Sequence, residues 1–260
     1  MSKYFCVIRQ SLTSKLLLSC TFILYLTLAT TAIATYKAPP NPSSPKTPTG
    51  SNSSRTNEEC TGNEKTSLTV LAPVAYVGQT VSLQPTFAWF VPNSQSRDIE
   101  FSLDEYVNGK LRRVDTISMH SSPGIMTYSL ANKQISLAAG QRYLWQVALL
   151  CNPNHPSEDL IASAEIEVVA IPPKLKNQIS QTKEFWKRSD LYAEQGLWYD
   201  ALAETLNNST KKVSILNLLT ELSQSEKEAI PKVTEPNHKQ DLDQQVLRLQ
   251  QIINAEQASK

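Results

Sequence analysis

The sequence predicts an α+β chain, an antiparallel β-sandwich followed by a C-terminal helical hairpin and a tail. Three observations carry that expectation. From Ser67 to residue 172, short apolar runs are separated by turn residues at the spacing of a sandwich or barrel. Four glycines in this stretch, Gly78, Gly109, Gly124 and Gly140, fall between candidate strands. After Pro172-Pro173 the apolar period changes from two to about 3.6, the period of a helix.

Residues 1–34 read as a secretory signal peptide. Lys3, Arg9 and Lys15 form a positive lead without an acid, an apolar run extends from Leu16 to Ala34, and Ala32-Ile33-Ala34 supplies a small-x-small cleavage pattern. The alternative is an uncleaved anchor, because the run approaches the ~20 residues that span a bilayer. The chain is therefore expected in the periplasm, cell envelope or medium, touching a membrane only through this segment if it is uncleaved. Residues 35–66 are rich in Pro, Ser, Thr and Asn, as in Pro39-Pro40-Asn41-Pro42-Ser43-Ser44-Pro45. Such a composition buries little apolar surface against its chain entropy, so the segment is expected to be a disordered spacer.

The sandwich is expected over residues 67–172. Ile99, Phe101 and Leu103 alternate with Glu100, Ser102 and Asp104, and Ala164, Ile166 and Val168 alternate with Glu165 and Glu167. Met126, Tyr128 and Leu130 repeat the pattern. Phe87-Ala88-Trp89-Phe90-Val91 is apolar on both faces, as in a central strand. Asn108-Gly109 lies between two such runs and signals a hairpin with a type I′ turn. The alternation fails at Arg112-Arg113, where an edge strand or bulge is expected.

In Leu137-Ala138-Ala139-Gly140-Gln141-Arg142-Tyr143-Leu144-Trp145, a turn glycine precedes Tyr and Trp on one face. This stretch resembles the approach to strand F in immunoglobulin and fibronectin III-like sandwiches, where a Tyr hydroxyl ties back to the preceding backbone. Trp89 and Trp145 share parity with other apolar residues, which makes them core candidates before sugar-stacking ones.

A helical region is expected over residues 173–222, with Leu175, Ile179, Thr182, Trp186 and Ser189 to Ala193 along one face. Tyr192-Ala193-Glu194-Gln195-Gly196-Leu197-Trp198-Tyr199-Asp200-Ala201 reads as helix, glycine turn, helix, and resembles the middle of a tetratricopeptide repeat. One unit cannot bury its own face, so the hairpin must pack on a neighbour or on a partner. Trp198 and Tyr199 are the candidate interaction surface. Residues 223–260 read as a polar linker, to residue 240, and a short terminal helix whose thin stripe is Leu242, Val246, Leu249 and Ile253.

The chemistry-bearing inventory is small. A formal net charge of +1, with the pairs Arg112-Arg113 and Lys211-Lys212 isolated, argues against a nucleic-acid partner, which needs clustered cations for several phosphates. Removal of the signal leaves Cys60 and Cys151, an even number that predicts a disulfide in an exported chain. It would close a loop of about ninety residues and stabilise by roughly 4–5 kcal/mol in the loop-entropy picture. Cys151 and His155 alone make no metal site, so no metal or cofactor is expected. No GxSxG, SxxK, P-loop or dinucleotide fingerprint is present, and only His120, His155 and His238 could act as bases. No catalytic residue is assigned.

Several stretches stand out together: Cys60, Leu71-Ala72-Pro73, Pro85-Thr86-Phe87-Ala88-Trp89-Phe90-Val91-Pro92, Pro123-Gly124-Ile125, Gly140 to Cys151 with Asn152-Pro153, Pro156-Ser157, and Leu191-Tyr192-Ala193-Glu194 to Tyr199-Asp200-Ala201-Leu202. As a set they resemble the domain of unknown function 928 family of exported cyanobacterial proteins. The resemblance spans residues 60–222 and implies no activity. The expected function is a non-catalytic protein–protein interaction or scaffolding component of the envelope or secreted fraction, its partner another envelope or secreted protein. A surface carbohydrate-binding module is the first alternative. An envelope hydrolase using His155, Glu158 and Asp159 is the second.

Overall fold

The computed structural model describes residues 36–47, 49–52, 66–92, 96–152, 154–206 and 211–258, and the expected signal segment and Cys60 lie outside them. Among the described residues nine strands form two sheets. They are β1 (Gly50–Asn52), β2 (Thr69–Val70), β3 (Gly78–Thr80), β4 (Thr86–Val91), β5 (Asp98–Val107), β6 (Lys110–His120), β7 (Gly124–Ser129), β8 (Arg142–Leu149) and β9 (Leu160–Val168). The six-stranded sheet runs β1-β9-β8-β5-β6, and β3 also pairs with β9. The other sheet is β2-β4-β7. Every pairing is antiparallel except β3 on β9, where Gly78–Thr80 run beside Ile166–Val168.

The alternation read from the sequence sets the buried faces. Ile99, Phe101 and Leu103 of β5, Trp145 and Val147 of β8, and Ala164 and Ile166 of β9 are fully buried. They meet Phe87 and Trp89 of β4, the centre strand of the small sheet. Phe87 lies 5.1 Å from Trp145 and 5.2 Å from Phe101, centroid to centroid, and Phe101 lies 4.7 Å from Tyr128. Rings at such tilted separations add about 0.5–1.5 kcal/mol per pair beyond area burial.

The β5–β6 hairpin turns at Asn108 and Gly109, both at positive φ (50° and 77°), as a type I′ turn requires. Its register slips between Leu103 and Asp104, which pair with Asp115 and Arg113, so Val114 is the extra residue of a bulge. β6 is an edge strand, as the broken alternation at Arg112-Arg113 implied. The Tyr143 hydroxyl accepts a 2.8 Å bond from the Ala138 N–H, the backward tie expected there.

Among the described residues five α-helices follow: α1 (Pro173–Gln181), α2 (Phe185–Glu194), α3 (Trp198–Leu206), α4 (Lys211–Ala229) and α5 (Pro236–Ala258). α2 and α3 form the expected hairpin, turning at Gly196 with φ +76°. Arg188 forks onto Glu204 at 2.8 and 2.6 Å, and the Ser189 hydroxyl donates to the Ala201 carbonyl at 3.0 Å. The single helical face expected from Leu175 to Ala193 is broken at residues 182–184, and Trp186 stands half exposed.

Two further boundaries differ from the sequence expectation. Residues 36–47 and 49–52, expected as disordered spacer, are built into the fold. Tyr36 is buried edge-on against Trp198 at 5.0 Å, Lys37 N–H donates to the Ala193 carbonyl, and β1 pairs with β9. A polar composition bars a segment from making its own core, but not from docking on one built elsewhere. The expected linker over 223–240 is helix to residue 229, with α5 beginning at Pro236. Ser223 and Glu226 are buried there, and α5 is a 23-residue helix with Leu242, Leu249 and Ile252 fully buried. Gln245 donates to the Val70 carbonyl at 3.1 Å and so ties α5 to β2.

Candidate functional site

Trp198 and Tyr199, the expected interaction surface, are not available to a partner. They are 0% and 1% exposed. The Trp198 indole N–H donates to the Leu71 carbonyl at 3.0 Å, and the Tyr199 hydroxyl accepts from the Trp145 indole at 2.8 Å. Both rings are the pegs by which α3 seats on the sheets. The sequence pattern correctly implied that the hairpin must pack on something; its partner lies in the same chain.

The prominent polar chemistry lies instead among carboxylates at the seams, Glu165, Glu226 and Asp200 buried and Glu221 half-buried. Glu165, fully buried on β9, accepts from Lys46 N–H (2.6 Å), Thr47 N–H (3.0 Å) and the Tyr106 hydroxyl (2.8 Å). Glu226 on α4 accepts from the Val74 and Ala75 N–H groups, each at 3.0 Å. Asp200 on α3 accepts from the Val81 N–H at 2.9 Å, and Glu221 on α4 from the Tyr36 N–H at 2.8 Å. Each carboxylate thus satisfies backbone donors of a segment without regular structure, donors that would be costly to bury unpaired. Burial pushes the Glu226 carboxyl up to about 8, opposed by the two backbone bonds. Burial also raises Glu221 to about 7 and Asp200 to about 6.

Beside Glu221 lies a concavity. A cavity of about 650 Å³ opens between the N-terminal segment at Tyr36–Pro45, the Ala75-Tyr76 turn, and α4 with its exit toward α5. Its inner wall carries Glu221, Ser225, Tyr36 and Tyr76. The Tyr76 hydroxyl donates to that of Tyr36 at 3.2 Å and lies 3.0 Å from the Ser225 hydroxyl. Burial, with the nearby charge of Glu226, raises the Tyr76 phenol well above its ordinary value, so it remains protonated at neutral pH. Glu228, Lys232 and Glu235 stand at the exposed rim. A second cavity of about 320 Å³ continues past Pro45, Glu235 and His238, residues common to both. The two together form a groove of the size that takes a small ligand or a short extended segment.

The loop considered for a hydrolase is engaged in its own folding. Asp159 accepts from the Cys151 N–H at 2.8 Å, Glu158 accepts from the Asn152 amide at 3.3 Å, and the exposed His155 ring lies 3.0 Å from that same amide. Cys151 is buried, its sulfur 3.3 Å from the Leu149 carbonyl oxygen. Among the described residues no three His, Cys, Asp or Glu gather as metal ligands, and no helix is long and apolar enough to cross a membrane.

Sequence reasoning missed the groove because its walls come from segments 149 to 185 residues apart, and parts of them, within 35–66 and 223–240, read as spacer and linker. One signal was available. Glu221, Gln224, Ser225 and Glu228 recur at helical spacing, a polar stripe on a helix that must bury its other face.

No curated protein matches the chain. Four chains of known structure match, among them astrotactin-2, described as a conserved vertebrate-specific and perforin-like membrane protein involved in neuronal development. That likeness has a TM-score of 0.26 at 8% identity and covers 74% of this chain but only 38% of that one, which is too slight to carry an argument. The family comparison is of another order: residues 50–236, well over half of the chain, match the model described as Domain of Unknown Function (DUF928), and the chain belongs to that family.

Proposed function

We propose that the protein is a non-catalytic interaction or scaffolding component of the cell envelope or secreted fraction, and that its partner enters the groove between the N-terminal segment and α4. The observation that carries this reading is the groove itself, a concavity walled by three separate parts of the chain. The use of the buried carboxylates favours binding over catalysis. Glu226 and Asp200 are spent on backbone N–H groups, and Glu165 takes two such groups on one oxygen while its other oxygen faces the Arg142 guanidinium at 3.6 Å, as a framework needs and a general acid or base does not. Export rests on the charged, apolar and small-x-small pattern of residues 1–34.

Within this reading the β-domain is of immunoglobulin or fibronectin III-like kinship, on the strength of the Tyr143 tie to Ala138, and the α2–α3 hairpin is tetratricopeptide-like. Cys60 and Cys151 are bonded in the exported protein, so alkylation of unreduced mature chain labels neither; full labelling of both overturns the bond.

The test places a photocrosslinker at Gln224, exposed on the groove wall, and, as control, at Ser118, exposed on edge strand β6 and outside the lining of both cavities. The expected outcome is one protein captured repeatedly at position 224 alone. Reconstituted from purified components, the pair should lose binding when Gln224→Trp fills the groove at unchanged melting temperature. A partner that binds the filled groove equally well overturns the assignment. Capture of polysaccharide instead moves the reading to a carbohydrate-binding module.

A further inference from the structure

We infer that the inner end of this groove is a site for one primary ammonium group, with Glu221 as its carboxylate partner. The inference rests on the groove being the binding surface proposed above and names the chemistry it reads.

An ammonium brings three donors and no acceptor, so its site must be built of oxygens. That is the composition of the inner wall. Along α4, Glu221, Gln224, Ser225 and Glu228 stand at i, i+3, i+4 and i+7, one face of a helix over roughly 10 Å of its length. Opposite Ser225 sits the Tyr76 hydroxyl, 3.0 Å away. Glu221 takes one bond, from the Tyr36 N–H. Among the described residues no Lys, Arg or His nitrogen lies within 4 Å of it. A half-buried carboxylate with backbone support and no cation within 4 Å offers a place for an organic cation, because the fold has already desolvated the carboxylate and a charge-assisted bond would offset that cost. The raised Glu221 pKa fits the same picture, since burial already opposes its charge and a bound cation would relieve it.

Lys37 and Lys232 line the outer groove together with Glu228 and Glu235, all four exposed, so the rim is balanced in charge and the inner carboxylate sets the preference for a cation. A lysine side chain of a partner segment and a free small amine share that chemistry.

The probes are N-acetyl-lysine amide, its uncharged match N-acetyl-norleucine amide, and 5-amino-1-pentanol, titrated into ¹⁵N-labelled mature protein. Expected are shifts at the amides of Tyr76, Glu221 and Ser225 with the lysine amide and none with the norleucine amide. Binding should weaken about tenfold or more in Glu221→Gln. Gln224→Lys, an exposed change that adds a fixed cation, should weaken it too and guards against a folding defect in the first variant. Binding by lysine amide alone assigns the ammonium to a partner's side chain, and equal binding by aminopentanol assigns it to a free amine. Equal binding of the norleucine amide, unchanged affinity in both variants, or no shift at tens of millimolar overturns the site. If Gln224→Trp abolishes partner binding while Glu221→Gln does not, the groove stands and the ammonium falls.

Discussion

At Tyr199 one hydroxyl joins three parts of the chain. It accepts from the Trp145 indole at 2.8 Å and lies 3.3 Å from the Glu165 carbonyl, within a fully buried aromatic cluster. Tyr199→Phe keeps the ring and strands the indole N–H, which costs about 1–3 kcal/mol for a buried unsatisfied donor. Urea unfolding at fixed pH measures it; an unchanged midpoint would mean that the indole finds another acceptor. Glu226 gives a pH prediction at the same scale. Its carboxyl rises from 4.5 to about 8 on burial, so the folded state holds the proton more tightly than the unfolded one. Stability from this group is therefore full below about 4.5 and falls as pH rises towards about 8. Glu221 and Asp200 add the same sign over windows ending near 7 and near 6. Melting temperature should decline from pH 5 to pH 8 in the wild type and decline less steeply in Glu226→Gln. Equal slopes would remove Glu226 as the cause.

Elements met their sequence signals unevenly. Period-two alternation placed β5, β7, β8 and β9, the unbroken apolar run placed β4, and the Asn108-Gly109 turn placed β6, because a strand buried on one face or on both writes that burial into its own residues. The two-residue β2 and three-residue β1 and β3 carry too few positions for any period to show. The α2–α3 turn was readable from Gly196, but not its second duty. A Cβ there would lie 2.9 Å from the Pro39 nitrogen and 3.1 Å from the Lys37 carbonyl oxygen, so this glycine also makes room for the N-terminal segment. Gly196→Ala meets a positive φ and a backbone clash together, and the left-handed conformation alone costs roughly 1–2 kcal/mol. Its expected signature is a lower melting temperature with new proteolytic cleavage near Lys37. Destabilisation without that cleavage would confine the effect to the turn.

For the molecule as a whole, α5 decides how much chain the fold needs. The family match ends at residue 236, where α5 begins. Yet Leu242, Leu249 and Ile252 are fully buried, and the Arg248 guanidinium donates to the Ser51 carbonyl of β1 at 3.2 Å. Burial of three such side chains contributes about 1.5–3 kcal/mol each. A chain ending at residue 235 should therefore melt more than ~10 °C lower and bind a hydrophobic dye. A truncated chain with wild-type melting would make α5 a passenger.

What the sequence by itself determined is whatever each residue's own neighbours dictate: the strand alternation, the turns, the bulged edge at Arg112-Arg113, the helical hairpin, and Trp89 and Trp145 in the core. Only the tertiary structure decided the rest. It seated Trp198 and Tyr199 inside, drew residues 36–47 and 49–52 onto the body, and opened the groove at Glu221. Each of these depends on pairs such as Tyr36 with Glu221, Lys46 with Glu165, and Gln245 with Val70, separated by more than one hundred residues. Local composition carries the cost of ordering such segments, whereas the free energy that offsets it lies in contacts no local window contains.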